Sequence, residues 1–186
     1  MDKERTMTIA DHMLEEYPTI RQVYTYDCGA ASVQSVMAYY GNNVREEVIM
    51  GELETSKETG TPPQNIIAFF KREGFVVEYG RMSIDRLKEY VDQDYPVIIV
   101  IQAYRDDESV QYVNDWDDGH YIVCIGYQDN SIIFEDPSSF NKTFLGNDEL
   151  NERWHDTTEG KIYDHFGIAV LGKKDKLFSR EIVHLD

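Results

Sequence analysis

Long hydrophobic runs are missing from this 186-residue sequence; the longest, PVIIVI at 96–101, falls far short of the roughly 20 residues a membrane-spanning helix needs. The first twenty residues, MDKERTMTIADHMLEEYPTI, are charged throughout and hold no apolar core of signal-peptide length. These two absences give the expectation of a cytoplasmic protein without a membrane span. Basic residues are scarce as well: 18 Lys and Arg stand against 35 Asp and Glu, a formal net charge of -17. That balance argues against attraction to nucleic-acid phosphates or anionic lipid. Cysteine occurs only at Cys28 and Cys124, too few for a disulfide framework or for a four-ligand zinc site without histidine. His12, His155, His165 and His184 are scattered, without the i,i+4 spacing or carboxylate clusters that would suggest a metal site. No cofactor and no metal is called for. Repeats and Pro/Gly/Ser-rich linkers are also lacking, so the length reads as a single domain, 1–186, large enough to bury a sizeable core.

What is present is regular punctuation. Asp27 stands as an N-cap before a helix from Cys28 to about residue 40, with Val33, Val36, Met37 and Tyr40 at helical spacing and Gly41 at its end. A second helix over about 44–54 carries Val44, Val48, Ile49 and Leu53 on one stripe. A third opens at Thr61-Pro62-Pro63-Gln64, which reads as a capping box with proline in the first turn, and stops at Gly74. FVVEYG at 75–80 is a short strand, and Ser83 opens a fourth helix bearing Ile84, Leu87, Tyr90 and Val91. PVIIVIQAY from Pro96 is too apolar on both faces for an exposed strand and reads as central. After an acidic loop at 105–119 come strands at His120–Tyr127 and Ser131–Glu135, a short helix over 148–154 and a strand from His165 to Leu171. Helices gather in the first part, about 1–94, and antiparallel strands in the second, about 95–186, which is an α+β arrangement.

A cysteine in the first turn of a helix meets unpaired backbone N–H groups and the positive end of the helix dipole, both of which favour thiolate. Gly29, Ala30, Ala31 and Ser32 let another chain approach that tip closely. Alone, Cys28 reads more readily as a buried structural cysteine than as a nucleophile. A nucleophile also needs a base, a group that orients the base, and donors for the developing oxyanion. WDDGHYIVCIGYQDNSIIFEDPSS puts His120 at the start of one strand and Asp136 at the end of the next. With a three-residue loop Gln128–Asn130 and Asn130 in the left-handed region, Tyr127 pairs with Ser131, Ile122 faces Asp136, and His120 and Asp136 share one face. A two-residue loop flips Asp136 away unless a bulge restores parity. Gln22 could supply a side-chain amide that, with the Cys28 backbone N–H, would make a two-donor hole; by itself it reads more readily as a solvated surface glutamine.

Together these residues resemble the papain-like cysteine peptidases, and within them the bacteriocin-processing branch that cleaves leader peptides after a double glycine. The resemblance rests on Gln22 with DCGAAS at 27–32 and AYYG at 38–41, on DGHYIVCIGY at 118–127 with EDPS at 135–138, and on GTPPQNIIAFFKREGF at 60–75 and YPVIIVI at 95–101. It runs in order from about residue 20 to 171. It implies a papain-like fold, with the nucleophile helix packed on a C-terminal antiparallel sheet, and a peptidase acting through a thioacyl-enzyme on a peptide or protein. Cys28 would be the nucleophile, His120 the base and then acid, Asp136 the orienting group and Gln22 the oxyanion donor. The papain signature C-G-[SA]-C-[WY] is not met, since the sequence after Cys28 is G-A-A-S. The same constellation serves acyl transfer, as in phytochelatin synthase, although the cysteine-rich tail of a metal-responsive synthase is absent. A non-catalytic peptide-binding module of the same fold is a further alternative.

Around this core, Tyr26, Trp116 and Gly119 are candidate substrate-binding residues, with Tyr24 beside them, and aromatic packing under the loop is the competing role. Cys124 alternates onto the face of His120 but reads as a packed strand cysteine. The loop RDDESVQYVNDWDDG carries six acids and one arginine. It reads as a solvated loop, with a cationic substrate or calcium as the rarer meaning, and its charges would favour imidazolium at His120. The oligomeric state and the tail KKDKLFSREIVHLD are left open by the sequence.

Overall fold

The protein is described by a computed structural model covering residues 10–172, so the tail from 173, with His184, lies outside the described residues. Helices α1 (Cys28–Tyr39), α2 (Glu46–Glu52), α3 (Pro63–Arg72) and α4 (Ile84–Val91) precede most of the strands, and α5 (Asn147–Arg153) follows later. The strands are β1 (His12–Met13), β2 (Val76–Arg81), β3 (Val97–Gln102), β4 (Gly119–Gln128), β5 (Ser131–Glu135), β6 (Thr143–Gly146), β7 (His155–Thr158), β8 (Lys161–Asp164) and β9 (Phe166–Leu171). Seven of them form one antiparallel sheet in the order β2-β9-β3-β4-β5-β6, with β1 paired to the far end of β4; β7 and β8 form a separate hairpin. The fold is α+β. The helical and sheet parts interleave more than the sequence suggests, because β1 and β2 pair with β4 and β9.

α1 is the central helix. Every residue from Gly29 to Tyr39 except Gln34 is buried, so it is enclosed on nearly all sides and the expected single apolar stripe widens to a full surround. It packs against β4 and against α2. Its end is a Schellman motif: Gly41 sits at φ 83°, its N–H donates to Ala38 O, and the Asn42 N–H donates to Met37 O. α2 differs from expectation, since Val48 is 51 % exposed while Glu46 is buried beside Ile49. α3 starts at Pro63 without a side-chain cap; Thr61, expected to cap it, instead hydrogen-bonds Thr55 Oγ1 through its own hydroxyl at 2.8 Å. Ser83 does cap α4, accepting from the Arg86 N–H at 3.1 Å. β3 is buried along its whole length between β9 and β4, as a strand apolar on both faces must be.

The β4–β5 hairpin corrects the expected loop. Gln128 pairs with Ser131 and Tyr127 with Ile132, so the loop is Asp129-Asn130, and Asp129, at φ 47°, takes the left-handed conformation. A bulge then shifts the register between Cys124 and Gly126, after which Cys124 pairs with Phe134 and Val123 with Glu135. Continuing that register puts Ile122 level with Asp136, the alignment that His120 needs.

The tip of α1 is held very close to its surroundings. A Cβ on Gly29 would lie 2.6 Å from Thr61 Cβ and 3.1 Å from the Tyr121 ring. Gly29→Ala is therefore expected to lower stability by about 1–3 kcal/mol through overpacking, read as a fall in the urea midpoint at unchanged m-value. An unaltered midpoint would mean that the Thr61 segment yields freely and does not fix the helix tip.

Candidate active site

Cys28 is the first residue of α1 and is partly exposed. Asp27 precedes it, fully buried, yet makes no side-chain bond to the helix. Its carboxylate turns back and accepts from the N–H groups of Val23 (3.2 Å) and Tyr24 (3.0 and 3.1 Å). The expected N-cap thus organises the preceding loop and leaves the first helical N–H groups without a side-chain acceptor. From the sheet, the Tyr121 backbone N–H points at the Cys28 sulfur at 3.5 Å, which brings the start of β4 against the helix tip.

His120 lies one residue before that contact and is buried. Its Nε2–H donates to Asp136 Oδ1 at 2.8 Å, so Nδ1 is the nitrogen available to the thiol. Burial lowers the His120 pKa, but the hydrogen bond to Asp136, the hydrogen bond and charge of Cys28, and the Asp136 charge outweigh it and raise the value to about 9. Asp136 moves the opposite way: burial raises its pKa, and hydrogen bonds and charge from His120 and Tyr104, with the Ser138 N–H, bring it below the ordinary carboxylate range. The pair is thus an imidazolium and a carboxylate at neutral pH. The shift at His120 comes from Asp136 and Cys28 and not, as the sequence suggested, from the acidic loop.

Cys28 at the tip of α1 and Asp136 just after β5 both act on His120 near the start of β4, Asp136 through a hydrogen bond and Cys28 through its effect on the imidazole. Gln22 sits to one side. Its Nε2 donates to Tyr24 O (2.7 Å), its Oε1 accepts from Ser138 Oγ (2.9 Å), and its backbone N–H donates to Pro137 O (3.1 Å). It is thereby tied to the loop that carries Asp136. Tyr26, Trp116 and Gly119 line one cleft of about 490 Å³ together with Cys28, Asp156 and Thr157. Tyr24 stacks on Tyr26 at 5.4 Å and Trp116 lies 4.4 Å from the His155 ring. Gly119 is required by close approach: a Cβ there would lie 2.7 Å from the Asp156 carboxylate, which Gln102 Nε2 holds at 3.1 Å. Cys124 is buried in the core, where burial pushes its thiol up to about 12. Among the described residues, no three His, Cys, Asp or Glu side chains converge as metal ligands, and no helix is long and apolar enough to cross a membrane.

Sequence reading missed three participants. Tyr104 ends the β3 run and donates its hydroxyl to Asp136 Oδ2 at 2.6 Å. Ser138 donates its N–H to Asp136 Oδ1 at 2.9 Å; an Asp followed two residues on by Ser is a local turn signal that could have been read. Asp156 belongs to β7, a strand whose sequence, HDTT, shows no alternation to betray it.

The family model for the Peptidase C39 family matches residues 16–158. The chain belongs to the Peptidase C39 family. It is similar to the peptidase domain of Streptococcus ComA, a bifunctional ABC transporter of a quorum-sensing pathway, at 26% identity and a TM-score of 0.62, covering 84% of this chain and 99% of that one. A double-glycine motif protease from an AMS/PCAT transporter, solved in complex with the leader peptide, aligns at 20% identity and a TM-score of 0.60 over 86% of this chain and 94% of its own. A candidate C39-like peptidase from Bacillus anthracis gives 16% identity and a TM-score of 0.64 over 87% and 98%. No curated protein matches the sequence closely enough to add to the assignment. The papain-like architecture of the C39 peptidases, the fold of double-glycine leader peptidases, is therefore the fold of this chain.

Behind the C39 helix tip, Glu46 is buried, and burial, then the charge of Asp27 and a hydrogen bond to it, raise its pKa from 4.5 to about 7. A carboxyl group that holds its proton more tightly when folded stabilises most below its unfolded pKa and loses that contribution as pH rises through the folded one. Thermal stability should accordingly fall between about pH 4.5 and 7, and Glu46→Gln should flatten that fall. A variant with the wild-type slope of Tm against pH would show that Glu46 is not the titrating group.

Proposed function

We propose that the protein is a cysteine peptidase in which Cys28, His120 and Asp136 act as nucleophile, general base and acid, and orienting group. The observation that carries the reading is the buried His120 ring, hydrogen-bonded through Nε2 to Asp136 and facing the Cys28 sulfur at the start of α1. The thiolate attacks the scissile carbonyl carbon, and the carbonyl oxygen becomes an oxyanion. The Cys28 N–H and the second N–H of the Gln22 amide are the donors for that charge. Collapse of the tetrahedral intermediate expels the amine, which takes the proton from His120, and leaves a thioacyl-enzyme. Water then attacks the thioester while His120 accepts its proton, releasing the acid and the free thiol.

The substrate is a peptide lying in the cleft lined by Tyr26, Trp116 and Gly119. The relative solved with a leader peptide supports this choice and makes peptides containing a double glycine the first set to assay. Cleavage is expected to vanish in Cys28→Ala, to fall by roughly 100-fold or more in kcat in Gln22→Ala, and to be lost in His120→Ala. Iodoacetamide provides a readout that needs no substrate: at pH 6 Cys28 should alkylate at least tenfold faster in the native protein than in His120→Ala, as an imidazole-activated thiol does. Alkylation indifferent to His120 would replace this reading with a non-catalytic peptide-binding module. An acyl-enzyme trapped by mass spectrometry that partitions to an amine in preference to water would replace hydrolysis with acyl transfer.

A further inference from the structure

Tyr104 is an unusual neighbour for a histidine–aspartate pair. β3 ends at Gln102, the Ala103 N–H still reaches Asp118 O at 3.0 Å, and at Tyr104 the backbone turns into the left-handed region, at φ 58°. A large side chain with a Cβ is strained there, so the conformation persists only if something holds it. What holds it is visible at the other end of the residue. The hydroxyl donates to Asp136 Oδ2 at 2.6 Å, and the ring stands edge-on to the His120 imidazole at 5.2 Å with an interplanar angle of 84°. Asp136 Oδ1 is already shared by the His120 Nε2–H and the Ser138 N–H. Tyr104 is therefore the donor that fixes the second oxygen, and hence the rotation of the carboxylate about its Cβ–Cγ bond.

We propose that Tyr104 is a positioning residue for the reaction: its hydroxyl pins the Asp136 carboxylate in the orientation that serves His120, and its ring covers the histidine–aspartate hydrogen bond from water. The proposal rests on the Cys28–His120–Asp136 reading given above. A carboxylate accepting three hydrogen bonds stays ionised to lower pH than one accepting two, so Tyr104 also sets how far into acid the site remains assembled. The other ionisable groups facing this cluster are few. His120 approaches from β4, with Cys28 beyond it. Glu135 lies next to Asp136 and is held by Lys142. Arg21 and Tyr112 act on the Tyr104 phenol itself. Glu135 is neutralised locally by Lys142, which leaves Tyr104 and His120 as the side chains that decide the charge of Asp136.

The test compares Tyr104→Phe, which keeps the ring and loses the donor, with Tyr104→Ala, which loses both. The Asp136 carboxyl carbon is followed by 13C NMR, and Cys28 alkylation by iodoacetamide is measured as a function of pH. In Tyr104→Phe the Asp136 titration should move up by about one pH unit. The acid limb of alkylation should move up with it by the same amount, while the thermal midpoint at pH 7 changes by no more than about 2 °C. Tyr104→Ala should shift the limb further. An Asp136 titration unmoved by Tyr104→Phe overturns the proposal. So does a moved titration with an unmoved acid limb, provided that His120→Ala still slows alkylation. If His120→Ala has no effect on alkylation, the triad reading itself falls and the role of Tyr104 falls with it, an outcome distinct from the other two.

Discussion

One extra residue in β4 decides whether this site exists. The two-residue loop Asp129-Asn130 sets a register in which Asp136 would stand level with Val123 and point to the face opposite His120; the bulge at Ile125 moves it level with Ile122 and returns it to the face of His120. The bulge is itself secured. The Ile125 carbonyl accepts from the Leu14 N–H at 2.8 Å, and β1 approaches so closely that a Cβ on Gly126 would lie 2.8 Å from the His12 carbonyl oxygen. A two-residue strand near the start of the described chain thus braces β4 at the bulge. The geometry of His120 and Asp136 follows from backbone hydrogen bonding several residues away, before any side chain at the site is considered.

Charge placement around the helix tip follows a second rule: negative groups are close but few are free. Asp27 is buried immediately before Cys28, where an unpaired carboxylate would oppose any thiolate. Two features limit that opposition. The Asp27 carboxylate accepts the Val23 and Tyr24 N–H groups, and Glu46 beside it keeps its proton to about pH 7, so Glu46 adds no second charge there in acid. Burial alone would take the proton off His120. Asp136 reverses that, and its own ionised state depends on the donors around it. In a chain of net charge -17, the site depends on which carboxylates are paired and not on how many there are.

Much of this was legible in the residues. Asp27 before Cys28 and Gly41 after Tyr40 mark the ends of α1, Ser83 marks the start of α4, and the unbroken β-branched run at 97–101 marks a strand buried on both faces. Gly41, Ser83 and the β-branched run each follow from a local requirement that few residue types meet, whereas Asp27 marks the boundary while its carboxylate bonds the preceding loop. β1, β6, β7 and β8 were not legible. They are two to four residues long, too short for a period of two to stand out, and KIYD and HDTT are polar enough to pass for loop. Thr61 shows the opposite error: the local pattern suggested a capping box, but tertiary contact with Thr55 claimed the hydroxyl. Tyr104 carried no signal, because nothing in the letters QAYR indicates that the chain turns left-handed there.

The family match ends at residue 158, yet the fold does not. β9 sits inside the sheet between β2 and β3, the Val170 N–H donates to Pro96 O, and Val170 O accepts the Tyr40 hydroxyl at 2.6 Å. Removing it would expose both neighbouring strand edges and the end of α1. The β7–β8 hairpin, which straddles the end of the match, has a different character. It lies off the main sheet and lends Asp156, Thr157, Thr158 and Glu159 to the cleft wall opposite the α1 tip. Under the proposed peptidase reading, selectivity among peptides is expected to reside in the segment where hydrophobic pattern is weakest, while Cys28, His120 and the register that aligns His120 with Asp136 reside where it is strongest.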